Sequence, residues 1–203
     1  MSCYRDVKRG RLFINLGGAI MLVVALNAVA FAQTIPAGTN DDPSFPTYGK
    51  GKTIVRLYTD YFCPPCQAAE PEIGPVLERA VRKGVVKVSF IDLPTSRHSA
   101  LYIKHFLYAM KKKNSFANAL RVKKALFEAA KSGITDEAAL RSHLADRGIS
   151  FTVYDVKPVF RQFNGYIMSD MAGNTPSAVI ENKGNKETVV GGDAIVKALN
   201  SLR

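Results

Sequence analysis

Residues 58–71 read YTDYFCPPCQAAEP, and the two cysteines inside that stretch decide the fold. Cys63 and Cys66 are separated by two residues, both proline. Upstream, Thr53 to Tyr58 (TIVRLY) is β-branched and aromatic, which predicts a strand. Downstream, Ala69, Ile73, Val76, Leu77 and Ala80 recur at helical spacing between Ala68 and Arg82, and Gly84 ends that helix. Val85 to Leu93 (VVKVSFIDL) predicts a second strand. The order is strand, CxxC, helix, strand: a βαβ unit with its cysteines at the helix start.

Residues 96–171 carry helical periodicity near Ser99–Lys111, Phe116–Lys131, Asp136–Arg147 and Val156–Met171. Gly133 and Gly148 mark breaks, and Thr135 is the expected N-cap of the third segment. Pro158 belongs near the start of the fourth, since in mid-helix it would cost about 3 kcal/mol. After this block, PSAVIE and KETVVG predict a hairpin across NKGN, and a last helix runs from about Asp193 to Leu202. Without the helical block the order is β-α-β, then β-β-α. That fits a four-stranded core flanked by two helices.

The chain has 203 residues, 47% hydrophobic and 22% charged, enough for one globular domain with an insertion. Residues 1–32 differ in character. Arg5, Lys8, Arg9 and Arg11 precede an uncharged apolar run from Leu12 to Phe31, which closes on Ala30-Phe31-Ala32. This is the pattern of a bacterial secretory signal, and the run is also just long enough for an anchor. Either way, residues 33–203 are expected in the periplasm or otherwise outside the cytoplasm. Residues 33–52, rich in Pro, Gly, Thr and Asn, read as a linker or an arm lying on the domain that begins at residue 53. The formal charge of +11 falls to +8 without the first 32 residues, which hold four basic residues and one acid. The remaining charge is spread along the chain, no nucleic-acid motif accompanies it, and no nucleic-acid partner is expected.

Three roles compete for Cys63 and Cys66. Structural zinc needs four ligands, and the mature region offers no third cysteine and only scattered histidines, His98, His105 and His143. No metal or cofactor is therefore expected. An inert disulfide across two residues closes a small loop and constrains the unfolded chain little. A dithiol–disulfide redox pair is the third role, and a CxxC beside a βαβ unit favours it. The thiolate is the reactive species, and a helix start, with its free N–H groups and dipole, stabilises an anion. That makes Cys63 the expected exposed nucleophile. Cys66, one turn in, is expected to be more buried and to attack the mixed disulfide from behind.

The prolines modulate this arrangement. Proline loses no intrahelical bond in a first turn, but Pro65 disfavours the helical region at Pro64. The helix is therefore expected to begin at Pro65, with Pro64 an extended link. Both prolines also remove N–H donors from the neighbourhood of the Cys63 sulfur. Pro71, inside the following helix, suggests a kink there or a second helix start. Thr175-Pro176 precedes a strand. An ordinary trans turn proline is the default reading, whereas a cis bond would present the Thr175 backbone to an extended substrate.

The segments YTDYFCPPCQAAEP, LPTSRHSA and GNTPSAVIENKG, in that order, resemble the DsbA-like thiol:disulfide oxidoreductases of the thioredoxin superfamily. The resemblance spans roughly Tyr48 to Leu202. It implies an α/β thioredoxin-like fold with a helical domain inserted at about residues 96–171. It implies Cys63 as nucleophile and Cys66 as resolving cysteine, with Pro176 cis and Thr175 facing them. Asp60 matches an acid common in one branch and has a loop-capping role as its alternative. His98 matches a helix-start histidine read as structural. The implied partners are reduced exported proteins and a membrane quinone-linked oxidase of the DsbB or VKOR-like kind. Two departures bear on the chemistry: the Pro-Pro dipeptide is not the commonest choice, and Leu57 stands where some relatives carry a buried acid for proton transfer. The expected activity is a disulfide-donating oxidase. A reductase or isomerase of the same fold, or a non-catalytic periplasmic chaperone using the groove beside Thr175-Pro176, are the alternatives.

Overall fold

In the computed structural model, which describes residues 45–202, the TIVRLYT segment is the central strand of a five-stranded sheet. In chain order the elements are β1 (Thr47–Tyr48), β2 (Thr53–Thr59), α1 (Pro64–Arg82), β3 (Val86–Asp92), α2 (Ser99–Lys112), α3 (Phe116–Lys131), α4 (Glu137–Asp146), α5 (Lys157–Ser169), β4 (Ser177–Asn182), β5 (Asn185–Val190) and α6 (Gly192–Ser201). The strands lie side by side in the order β1-β3-β2-β4-β5. The pair β2 and β3 is parallel, from Thr53 opposite Val86 to Thr59 opposite Asp92, as the βαβ reading requires. Strand β4 runs antiparallel to β2, and β5 antiparallel to β4. A strand covered on both faces reads as a continuous apolar run. All but one of the β2 residues are buried, including the charged Arg56.

The sheet has one strand more than expected. Thr47–Tyr48, within the stretch expected to be a linker or arm, pairs antiparallel with β3 and covers that edge. Two residues carry no hydrophobic period, so the pairing rests on burial on either side. The Phe45 ring packs against Phe163 and Tyr166, and the Tyr48 ring against Phe90 and Phe116. Gly49 then turns the chain with φ +92°, and a Cβ there would sit 2.3 Å from the Val86 carbonyl oxygen. The expected signal or anchor (residues 1–32) and residues 33–44 of the arm lie outside the described residues. No described helix is long and apolar enough to cross a membrane.

Three local expectations are corrected. The helix α1 starts at Pro64, not Pro65: the Cys63 carbonyl accepts the Gln67 N–H at 3.0 Å, closing a first turn that needs neither proline's missing N–H. It then runs unbroken through Pro71 and Pro75 to Arg82. The N-cap of α4 is Asp136, whose carboxylate accepts the Ala139 N–H at 2.7 Å, not Thr135. The hairpin is tighter than NKGN, with Asn182 opposite Asn185 and only Lys183 and Gly184 between.

Helices α2–α4 form the inserted region, and α5 leads back to the sheet. Its C-cap, Asp170, is buried and receives the Arg56 Nε–H at 2.5 Å, the Tyr58 hydroxyl at 2.6 Å and the Lys186 ammonium at 2.5 Å. The guanidinium of Arg56 also reaches Glu181 at 3.1 Å. One buried carboxylate thus ties α5 to β2 and β5. Helix α1 packs against both α6 and α3. At the first contact a Cβ on Gly192 would meet the Ala69 methyl at 2.5 Å, so the close approach needs glycine.

Candidate active site

Cys63 is the N-cap of α1, extended at φ −82° and ψ 114°. Its side chain is half-buried, and Cys66, one turn on, is 2% exposed. Both are free thiols. With prolines at the first two helical positions, no N–H from either residue can reach the sulfur of Cys63. The Cys63 thiol donates instead to the Thr175 carbonyl oxygen, at 3.3 Å.

Thr175-Pro176 is cis, and it delivers the chain directly into β4. The trans turn reading is therefore replaced. Structure brings Cys63, Cys66, Thr175 and Pro176 together at the C-terminal end of β2 and the adjoining start of the antiparallel β4. Pro176 and Cys66 line the same pocket.

Asp60 is fully buried and does not point at the sulfurs. Its Oδ1 accepts the Phe62 N–H at 2.6 Å, and its Oδ2 accepts the Thr95 N–H at 2.9 Å and the Ser99 hydroxyl at 2.5 Å. Its carbonyl accepts the Cys63 N–H at 3.2 Å. One side chain therefore fixes the turn before Cys63 and the start of α2 together. Gln67 adds a bond from its amide to the Tyr61 carbonyl, at 2.8 Å. His98 is the N-cap of α2, but its side chain makes no capping bond. Its ring lies 5.8 Å from that of Phe62.

Burial decides the chemistry of Cys66: removal from water pushes its thiol up to about 12. Cys66 holds its proton at neutral pH, and a disulfide broken between the two sulfurs must return a proton to Cys66. Behind it lies a pocket of about 30 Å³ lined by Leu57, Thr59, Glu70, Lys123 and Pro176, among others. The Lys123 ammonium is buried, 2.7 Å from Asp92 Oδ1 and 3.1 Å from Thr59 Oγ1, and lies over the rings of Tyr61, Phe90, Phe106 and Phe127 at 4.9–5.7 Å. Asp92 also accepts the hydroxyls of Thr59 and Tyr61, at 2.6 and 2.9 Å. Sequence reasoning missed this cluster. Its one available signal was a lysine beside Val122 and Leu126 on the apolar face of a helix. Among the described residues, no three His, Cys, Asp or Glu side chains gather as a metal site would require.

A thioredoxin family profile matches residues 46–180. The chain belongs to the thioredoxin family, in its DsbA-like branch. With its CxxC pair it is a thiol–disulfide oxidoreductase. No curated protein matches it. Among solved structures it is similar to a periplasmic thioredoxin-like protein of Salmonella enterica serovar Typhimurium, at 21% identity and TM-score 0.57 over 80% of this chain and 94% of that one. It is similar to the catalytic domain of Proteus mirabilis ScsC, at 22% identity and TM-score 0.59 over 79% and 91%. It is also similar to Wolbachia pipientis α-DsbA1, at 16% identity and TM-score 0.61 over 79% and 90%. These likenesses show the thioredoxin-like fold with its inserted helices.

Proposed function

We propose that this DsbA-like protein donates disulfides to reduced proteins exported from the cytoplasm, with Cys63 as the sulfur exchanged with substrate and Cys66 as the resolving sulfur. The observation that carries the assignment is the asymmetry at the start of α1. Cys63 is reachable from solvent, whereas Cys66 is buried with its thiol pushed up to about 12. An incoming thiolate can approach Cys63 only, and its attack leaves Cys66 as the departing sulfur. The Thr175 carbonyl, 3.3 Å from Cys63, is the backbone acceptor an extended substrate would meet first. Pro64 and Pro65 limit the donors around Cys63. The location outside the cytoplasm rests on the N-terminal pattern of the sequence, and a membrane quinone-linked oxidase is the proposed source of fresh disulfide.

Two measurements test this. Cys66→Ala, with Cys63 first activated as a mixed disulfide with thionitrobenzoate, should release thionitrobenzoate to reduced ribonuclease and hold the ribonuclease as a stable mixed disulfide, and Cys63→Ala treated in the same way should hold none. The reduction potential of the pair, by equilibration with glutathione, should fall toward the oxidising end, roughly −120 to −180 mV. A potential near about −270 mV would assign a reductase and end the donor reading.

A further inference from the structure

When a substrate thiolate opens the Cys63–Cys66 disulfide, the electron pair of the broken S–S bond stays on the Cys66 sulfur. A thiolate of such high proton affinity is a poor leaving group unless a proton reaches it. Leu57, which lines the pocket with Cys66 from β2, has no proton to give. The Lys123–Asp92 pair is committed, since the lysine is held by Asp92 and Thr59 and the aspartate already accepts from three side chains. Glu70 remains. It stands one helical turn after Cys66, on the same face of α1, and lines the same pocket. It is half-buried and makes no hydrogen bond among the described residues. The pocket volume of about 30 Å³ exceeds the ~10–15 Å³ that one water needs.

We propose that Glu70 is the group that exchanges the Cys66 proton with solvent, through a water held in the pocket behind the sulfur. The inference rests on the disulfide-exchange role of Cys63 and Cys66. In the donating direction the substrate thiolate bonds to Cys63 and is oxidised to the mixed disulfide, and the Cys63–Cys66 bond is reduced. The Glu70 carboxyl passes one proton by way of the water to Cys66, and then takes one back from solvent. The reverse direction runs the same proton outward. The surroundings suit this traffic. Burial raises the Glu70 carboxyl above its usual range, Lys123, Lys124 and Lys131 of α3 oppose that rise, and Glu128 of α3 adds to it. Lys123 is a positioning residue that faces the Glu70 carboxyl across the pocket.

The test uses the oxidised full chain in stopped-flow reduction by dithiothreitol, across pH and in heavy water. General acid–base help is typically 10²–10⁴-fold, so Glu70→Gln should slow the opening of the disulfide by at least about tenfold at pH 7. Corrected for thiolate concentration, the wild-type rate should fall as pH rises through the Glu70 range and show a solvent isotope effect, and the variant should show neither. Alkylation of Cys63 in the reduced chain and the thermal midpoint should not change. In Glu70→Ala, added formate should restore rate in proportion to its concentration. A Glu70→Gln protein with wild-type rate, pH profile and isotope effect overturns the inference and leaves the proposed function standing. A wild-type chain that does not react with dithiothreitol at all overturns both.

Discussion

The Cys63 thiol donates to the Thr175 carbonyl oxygen across 112 residues of sequence, at 3.3 Å. The N-cap of α1 and the residue entering β4 are therefore one surface. That surface separates the two cysteines: Cys63 stands half-buried on it, and Cys66 lies behind it, 2% exposed.

The first prediction follows from that separation. In the reduced protein, iodoacetamide should modify Cys63 alone at pH 8, and Cys66 only after unfolding. The folded Cys66 thiol stands near 12, above the value of about 8.5 for an exposed thiol. Its contribution to stability is complete below the unfolded value and is lost as pH rises toward the folded one. The reduced form should therefore lose stability relative to the oxidised form between about pH 8.5 and 12. The buried tyrosines, including Tyr58 and Tyr102, titrate in both forms and cancel in the difference. Paired thermal melts of the two redox forms read it directly, and parallel curves would reject it.

Asp60 holds three donors from two segments. Asp60→Ala orphans the Phe62 and Thr95 N–H groups and should cost about 2–3 kcal/mol in urea unfolding. Asp60→Asn keeps an acceptor oxygen and should cost roughly half as much. Equal costs for the two would mean that packing, not hydrogen bonding, sets the loop.

The Lys123–Asp92 pair has almost no access to water, with side chains 5% and 0% exposed. Lys123→Met leaves Asp92 uncompensated and should destabilise the fold by about 3–5 kcal/mol. Adding Asp92→Asn removes the stranded charge, so the double variant should be more stable than Lys123→Met alone. A double-mutant cycle with no coupling would contradict the geometry.

Asp170 links stability to acid. Burial alone would raise its carboxyl, but the bonds from Arg56, Lys186 and Tyr58 outweigh that and hold it below the usual range. Such a group stabilises the fold above its unfolded value of about 3.9, and the contribution is lost as pH falls through the lower folded value. Asp170→Asn should be less stable than wild type at pH 7 and lose less on acidification below about pH 4. Guanidinium titrations at pH 7 and at several acid values decide it.

How far the sequence could be read depended on how local each signal was. The βαβ unit and its cysteines were legible because period and spacing are properties of neighbouring residues. Helix α3 was legible to its last residue for the same reason. The strand Thr47–Tyr48 was not, because two residues have no period and their partner is β3. The start of α1 was misplaced by one residue, because the local preference at Pro64 yields to the Gln67 bond to Cys63. Asp60 offered a site role and a capping role, and only the fold shows that its bonds go to Phe62, Thr95 and Ser99. Lys123 counts as polar in any helical pattern. Its partners Asp92 and Thr59 lie 31 and 64 residues away, so nothing in its own helix announces that it is inside.

The position of Lys123 has an engineering consequence. It belongs to α3, part of the inserted helical region, yet it lines the pocket behind Cys66. The insertion is therefore not a detachable module laid over a self-sufficient redox unit. A shortened chain joining β3 directly to α5 would keep both cysteines and the Thr175 carbonyl. It would open the rear of the resolving sulfur to solvent and leave Asp92 without its cation. Transplanting CPPC onto a bare thioredoxin scaffold would carry over the sequence of this site but not its interior.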